Sequence, residues 1–286
     1  MSEEQVDVPG DPEVGIFIDA GGIRTNIHLK GPEQGDPVVC IHGSGPGASA
    51  LSNWRLTMPA LAGSFRVVAP DLVGFGRTER PAGIEYGLDT WTGHLLAVLD
   101  AQGIDRAHVV ANSMGGAVAL DLAVRYPDRV DRLVLMGAVG VPFTLTPGLD
   151  AVWGYQPSVE AMQDLLGIFA YDPSLLSPDL AELRYRASIQ PGAQEAFAAM
   201  FPAPRQRWVD ALAQEPQAIR SIGHRTLLVH GREDQVVPMQ NSLDLLGLID
   251  DARLHVFGRC GHWTQVEHAA AFNRLVLDFL APDPQG

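Results

Sequence analysis

The chain has 286 residues, 46% of them hydrophobic, enough to bury one elaborated α/β core or a core with an insertion. Its 20 Lys and Arg stand against 34 Asp and Glu, a net charge of −14, which argues against nucleic acid or an anionic membrane as partner. No apolar stretch reaches the ~18 residues of a membrane span, and Met1 to Pro9 is acidic where a secretory leader would be basic and then apolar. A cytoplasmic location is expected. Cys40 and Cys260 supply neither a disulfide framework nor a metal pattern, and the nine histidines include no HxxxH or HExxH pair, so no metal or other cofactor is expected.

Val14 to Asp19 and Ile23 to Leu29 alternate around Ala20-Gly21-Gly22, which predicts an antiparallel hairpin at a sheet edge. Pro37 to Ile41 is a short apolar strand running straight into His42-Gly43-Ser44-Gly45-Pro46-Gly47, a loop whose backbone N–H groups suit a ligand at the carboxyl end of a parallel sheet. Leu51 to Ala62 reads as a helix, Arg66 to Ala69 as a strand, and Pro70 to Thr78 as a second glycine-containing loop in which Asp71 fixes the loop rather than catalyses. Asp89 or Thr90 is placed to cap a helix through Leu99.

Ala107 to Ala111 is the next buried strand, and from Gly115 apolar residues recur at helical spacing (Val118, Leu120, Leu122, Ala123). Between them, in Asn112-Ser113-Met114-Gly115-Gly116, a serine sits at the bend with small residues two positions either side. That is the pattern of the nucleophile elbow of α/β-hydrolases, with Ala111 where the first glycine is usual. Helix 114–126 and strand Arg132–Met136 continue the alternation of strand and helix that signals a parallel sheet covered on both faces.

The rhythm breaks at Gly137. From Val141 to Ile222 no buried strand is apparent; amphipathic segments (Val159–Ala170, Asp179–Ile189, Ala193–Met200, Arg205–Leu212) predict a helical lid over 141–222, inserted into a core of 1–140 and 223–286. Its aromatics, Trp153 and Phe169 among them, are read mainly as packing residues. Strand Thr226–His230, helix Ser242–Ile249, strand Arg253–Phe257 and helix Val266–Leu280 complete the core.

Asp234 and His262 each lie on a loop leaving the carboxyl end of a strand, and Ser113, Asp234, His262 is the order of triad partners in this fold. A serine hydroxyl needs a base to take its proton, and an imidazole serves when a carboxylate fixes its tautomer. Glu233 is the alternative acid.

These residues carry a closer resemblance. The chain is similar, over about Gly21 to Ala281, to the meta-cleavage product hydrolases, the carbon–carbon bond hydrolases of bacterial aromatic degradation. The likeness rests on His42 to Gly47, Ser52-Asn53-Trp54, Gly74-Phe75-Gly76, Asn112 to Gly116 and Cys260-Gly261-His262-Trp263. Lid stretches Gly148–Tyr155, Glu182–Ser188 and Phe201–Trp208 most resemble the 2-hydroxymuconate semialdehyde hydrolases.

The resemblance implies water-driven cleavage of a 2-hydroxy-6-oxohexa-2,4-dienoate to 2-hydroxypenta-2,4-dienoate and a small acid, through a 2,6-diketone that can hold the carbanion's charge. It implies Arg184 on the substrate carboxylate, the N–H groups of Met114 and Ser44 as oxyanion hole, and Gly43, Asn112 and Trp263 along the dienoate. It also implies a homo-oligomer. The acyl substituent is expected between loop Gly137–Val141 and Val236–Val237. A carboxylesterase on the same triad, or a non-catalytic binding protein of this fold, are the competing readings; an esterase has no need of a buried cation. Haloalkane dehalogenase and epoxide hydrolase activity are disfavoured, since those enzymes carry Asp at the position of Ser113.

Overall fold

A computed structural model describes residues 11–282; the acidic stretch Met1–Pro9 lies outside them. Eight strands form one sheet: β1 (Ile16–Ala20), β2 (Ile23–Lys30), β3 (Asp36–Ile41), β4 (Phe65–Pro70), β5 (Ala107–Asn112), β6 (Val130–Met136), β7 (Thr226–Gly231) and β8 (Ala252–Phe257). Their spatial order is β1-β2-β4-β3-β5-β6-β7-β8. The β1–β2 and β2–β4 pairs are antiparallel, and every pair from β4 to β8 is parallel. The expected hairpin forms with Ala20 opposite Ile23, so Gly21 and Gly22, both at positive φ, make the two-residue loop. All residues of β5 and β7 are buried, which is why they read as unbroken apolar runs, whereas the edge strands β1 and β8 mix exposed and buried positions.

Helices depart from the sequence reading at three places. The helix expected over Leu51–Ala62 is two, Ala50–Trp54 and Met58–Leu61. Ser49 closes a capping box on the first, and Pro59 in the first turn of the second cannot donate to a preceding turn. The helix Leu88–Ala101 starts without a side-chain cap; the Thr90 hydroxyl donates back to the Glu85 carbonyl at 2.7 Å and Asp89 accepts from Arg125 at 2.6 Å. The last helix is split into Thr264–Glu267 and Ala269–Leu280 by the non-helical backbone of His268.

Between β6 and β7 the chain is helical. Helices Val159–Phe169, Pro178–Ser188, Ala193–Met200 and Gln206–Leu212 match the amphipathic segments, and Pro147–Trp153 and Pro216–Arg220, too short to show a period, join them. Both open on a proline, which the first helical turn tolerates because its N–H has no partner there.

Asp71, at the end of β4, organises the loop beside the site. Its carboxylate accepts from the N–H of Ala50 (2.6 Å), the N–H of Arg77 (2.8 Å) and the Asn26 amide (2.8 Å), with no exposure to solvent. Asp71→Ala leaves buried donors without acceptors, and is expected to lower stability by about 3 kcal/mol. Urea unfolding measures this; a midpoint equal to the parent protein's contradicts it.

Candidate active site

β5 ends at Asn112 and the helix Met114–Arg125 begins two residues on, so the chain reverses direction within Ser113. Ser113 has φ 55° and ψ −121°, and only it and Arg259 among the described non-glycine residues have positive φ. Such a backbone persists only when its surroundings over-determine it. Here the Ser113 N–H donates to the Met136 carbonyl at 2.9 Å, and the Ser113 carbonyl accepts from Gly116 (2.8 Å) and Val139 (3.0 Å). The serine is thereby held at the floor of a cavity of about 450 Å³ that His262 also lines.

Asp234 and His262 meet from the loops after β7 and β8. The His262 Nδ1–H donates to Asp234 Oδ2 at 2.7 Å, so Nε2 is left as the basic nitrogen. Oδ1 of Asp234 accepts from the N–H groups of Val236 (2.7 Å) and Val237 (3.0 Å). Burial would raise this carboxyl, but His262, then His230 and the backbone donors outweigh it and hold the group below the ordinary carboxylate range. Glu233 turns elsewhere, accepting from the Cys260 N–H at 2.9 Å and pairing with Arg232 at 2.7 Å. Gly137 backs onto the pair: a Cβ there would lie 3.0 Å from His262 Cε1 and 3.2 Å from Asp234 Oδ2, and its φ of +49° suits glycine.

Three further imidazoles, all buried, brace the loops as neutral rings. His42 Nδ1–H donates to the Gly43 carbonyl (2.8 Å) while Nε2 accepts from the Leu72 N–H (3.0 Å). His94 Nδ1 accepts from the Val73 N–H (3.2 Å), which makes Nε2 the donor toward Thr25 Oγ1 (2.8 Å). His230 Nε2–H donates to the Val237 carbonyl (3.0 Å) and Nδ1 accepts from Ser242 (2.8 Å). Burial pulls all three below the ordinary imidazole value, His94 to about 4.

The loop after β3 forms the opposite wall. A Cβ on Gly43 would come within 3.0 Å of Asn112 Oδ1 and of Ser113 Cβ, so glycine lets this loop close over the serine. Asn112 is held by Nδ2 donating to the Met136 carbonyl (3.2 Å). Gly43, Ser44, Asn112, Trp263 and Arg184 all line the cavity. Met114 is fully buried at the first turn of its helix, whose N–H groups point toward the serine end. Arg184, on helix Pro178–Ser188, makes one long hydrogen bond, to the Pro46 carbonyl at 3.4 Å. Among the described residues no carboxylate lies within ion-pair distance of it. Burial lowers its pKa, and Glu13 is the carboxylate that most favours its charge. The cavity walls are apolar at Leu149, Val152 and Val236; loop Gly137–Val141 is not part of them, because Gly137 is packed behind the His262–Asp234 pair. Among the described residues no group of three His, Cys, Asp or Glu side chains is disposed to hold a metal ion, and no helix is long and apolar enough to cross a membrane.

Comparison with known proteins gives this arrangement a family. The model of the α/β-hydrolase fold matches residues 36–269. A 2-hydroxy-6-oxo-2,4-heptadienoate hydrolase of Pseudomonas putida is 60% identical over 271 residues, covering 95% of this chain and 98% of that protein. A 2-hydroxymuconate semialdehyde hydrolase of Pseudomonas sp. (strain CF600) is likewise 60% identical, over 94% of this chain and 95% of its own length. This chain belongs to the meta-cleavage product hydrolases. The crystal structure of a mutant meta-cleavage product hydrolase from Pseudomonas fluorescens IP01, complexed with acetates, superposes with a TM-score of 0.93 at 57% identity, covering 94% of this chain and 98% of that one.

Two cavity residues of this hydrolase, Asn53 and Phe169, and Trp153 behind the cavity-lining Ser44, escaped the sequence analysis. Trp153 donates its indole N–H to Ser44 Oγ at 2.9 Å, with its ring stacked on Phe201 at 4.2 Å. Asn53, which lines the cavity, accepts from the Gly43 N–H (3.3 Å), and its buried Nδ2 has no hydrogen-bond partner among the described residues. Phe169 stacks on Trp263 at 4.8 Å, and its carbonyl accepts from the His262 N–H at 2.7 Å. The Ser52-Asn53-Trp54 motif marked Asn53 without a role; for Trp153 and Phe169, apolar periodicity signals only packing.

The neutral imidazoles set an acid limit. An unfolded imidazole titrates near 6.5, whereas folded His94 resists protonation down to about 4. The unfolded state therefore binds more protons as pH falls below about 6.5, and stability falls with it, by about 2 kcal/mol for this ring between about pH 7 and about pH 5. Urea unfolding at the two pH values checks this. His94→Gln is expected to flatten the pH dependence, and an equally steep one in that variant contradicts the assignment.

Proposed function

We propose that this hydrolase cleaves the C5–C6 bond of 2-hydroxy-6-oxohexa-2,4-dienoates, 2-hydroxymuconate semialdehyde or its small 6-alkyl analogues, giving 2-hydroxypenta-2,4-dienoate and a carboxylic acid. The observation that carries the reading is Arg184: a cation without an ion-pair partner among the described residues, lining the same cavity as Ser113 and His262. A guanidinium fork suits a planar carboxylate, and an esterase acting on neutral esters gains nothing from it. The relatives' names describe dienoate hydrolases, which supports the same substrate class.

In this reading the 2-hydroxydienoate docks with its carboxylate on Arg184 and its 6-carbonyl over Ser113. His262 Nε2 relays a proton from the 2-hydroxyl to C5, producing the 2,6-diketone. His262 then takes a proton from Ser113 or from water as oxygen adds to C6. The N–H groups of Met114 and Ser44 receive the oxyanion. As the C5–C6 bond breaks, its electron pair is delocalised toward the 2-oxo group beside Arg184, and His262 returns a proton to the leaving fragment; where Ser113 supplied the oxygen, water activated by His262 then hydrolyses the serine ester and releases the acid. Asp234 holds the imidazole in the tautomer that these transfers require. Gly43, Asn112, Asn53 and Trp263 flank the dienoate, while Leu149, Val152 and Val236 leave an apolar space fitting hydrogen, methyl or a short alkyl at C6. Residues 141–222 act as a lid on a core of 1–140 and 223–286. The net charge of −14 disfavours nucleic acid or an anionic membrane as partner, and in this reading the protein works in the cytoplasm on a small molecule and, from the family resemblance, as a homo-oligomer.

Loss of the yellow dienolate absorbance with 2-hydroxymuconate semialdehyde and its 6-methyl and 6-phenyl analogues tests the reading. Fast bleaching of the two small substrates is expected. Ser113→Ala should slow it on the order of 10³-fold or more, and Arg184→Gln should raise KM by about tenfold or more. Hydrolysis of p-nitrophenyl acetate without bleaching of any dienoate would instead establish an esterase.

Trp153 yields a separate expectation. By donating to Ser44 Oγ it occupies that oxygen as an acceptor and leaves the serine's own hydrogen free to point at the oxyanion. Trp153→Phe keeps the ring and is expected to lower kcat by about 3- to 10-fold with little change in KM. In a Ser44→Ala background the same substitution should add almost nothing; full additivity rules out action through Ser44.

A further inference from the structure

The cavity that holds Ser113, His262 and Arg184 has an acidic residue that the reaction as described does not use. Glu13 lines it from the stretch before β1. Its carboxylate accepts a hydrogen bond from the Ser49 hydroxyl, and its backbone is pinned, the N–H donating to Asp11 Oδ1 (2.9 Å) and the carbonyl accepting from the Asn26 amide (2.9 Å). Arg184 is anchored three residues earlier in the same loop, on the Pro46 carbonyl. Between the two anchors Gly47 is pressed against the helix of Arg184, where a Cβ would come within 2.7 Å of the Ser188 nitrogen. One short loop thus presents a carboxylate and a guanidinium to one cavity. They do not form an ion pair; Glu13 compensates the arginine's charge from a distance and leaves the fork's N–H groups free for another acceptor.

We infer that Glu13 is a specificity-determining residue for the dienoate: it is the resident counter-charge of Arg184, and it sets how tightly any carboxylate, substrate or product, is held there. The inference rests on the reading of Arg184 as the carboxylate receptor. Two anions then share one cation, and the second weakens the hold on the first. The consequence is functional, because the dienoate product keeps the same carboxylate as the substrate. A site that gripped it without opposition would be strongly inhibited by its own product.

Other charges around Glu13 set its response to pH. Asp71 and Arg77 face it from the loop after β4, His28 from β2, Arg184 from helix Pro178–Ser188, and Arg80 shares the adjoining small cavity. Asp11 is tied to Arg77 by an ion pair, and Arg55 lines the same cavity. Burial raises the Glu13 carboxyl, the Ser49 bond and Arg184 oppose this, and Asp71 adds to it, leaving the group above the ordinary carboxylate value. A bound carboxylate raises it further. Neutral Glu13 at lower pH therefore favours dienoate binding, and ionised Glu13 at higher pH disfavours it, so KM rises with pH through this titration.

Glu13→Gln in the full chain, which keeps an acceptor for Ser49, tests the proposal. The expected result at about pH 8 is a KM for 2-hydroxymuconate semialdehyde lowered about fivefold, with kcat moved by less than about twofold. Inhibition by 2-hydroxypenta-2,4-dienoate should tighten by the same factor, and the dependence of KM on pH should flatten. A KM that is unchanged or raised overturns the proposal, as does a gain of equal size for p-nitrophenyl acetate, which has no carboxylate. Arg184→Gln separates the two readings. If it raises KM while Glu13→Gln lowers nothing, Glu13 alone is wrong; if neither variant moves KM, the Arg184 reading falls and Glu13 falls with it.

Discussion

A carboxylate shut away from water stays ionised only when donors surround it, and the active end of this sheet is arranged around that requirement at Asp234. Its side chain is 1% exposed, and both oxygens are engaged. One receives two backbone N–H groups from its own loop, which fixes the turn after β7. The other receives His262, which fixes the imidazole's tautomer and angle, with His230 3.4 Å away. A side chain at Gly137 would press on this pair from a strained backbone. Removing any one of these contacts exposes the carboxylate's desolvation cost, so the loops after β6, β7 and β8 are not independently variable.

The cavity's charge differs from that of the whole molecule. The protein carries −14, yet four arginines and two acids line the site. Arg77 is tied to Asp11 and Arg186 to Glu182, so the cationic character falls on Arg184 with Arg55 near it. Inside a poorly solvated cleft such local charges outweigh distant surface ones, because screening by water is weak there. Arg184, Ser113, His262 and the aliphatic Leu149, Val152 and Val236 line this one cavity together.

The helical segment is joined to the core at the chemistry. Trp153 reaches Ser44, the Phe169 carbonyl takes the His262 N–H, and the Glu267 carboxylate accepts from Tyr171 N–H (2.8 Å), Asp172 N–H (2.9 Å) and Gly261 N–H (2.7 Å). Displacing these helices would break bonds to Ser44 and His262, both of which line the cavity.

How much of this was legible beforehand follows from the range of each interaction. The parallel strands, the elbow at Ser113 and the order Ser113, Asp234, His262 are written in the chain, because a strand buried on both faces must be apolar throughout and a strained turn restricts its neighbours to small residues. Helix ends were less legible: apolar periodicity runs on through Thr57 and His268 and does not mark where one helix stops and the next begins. Arg184 could be singled out, but not its lack of an ion-pair partner among the described residues. The Trp153–Ser44 bond joins residues 109 apart, and Glu13 meets Ser49 and the surroundings of Arg184 only after the sheet has folded. Periodicity reports which face of an element is apolar. It carries no record of which polar atom on another element completes a hydrogen bond, and that pairing, imposed by the cost of burying an unpaired donor or charge, is what the tertiary structure alone decided.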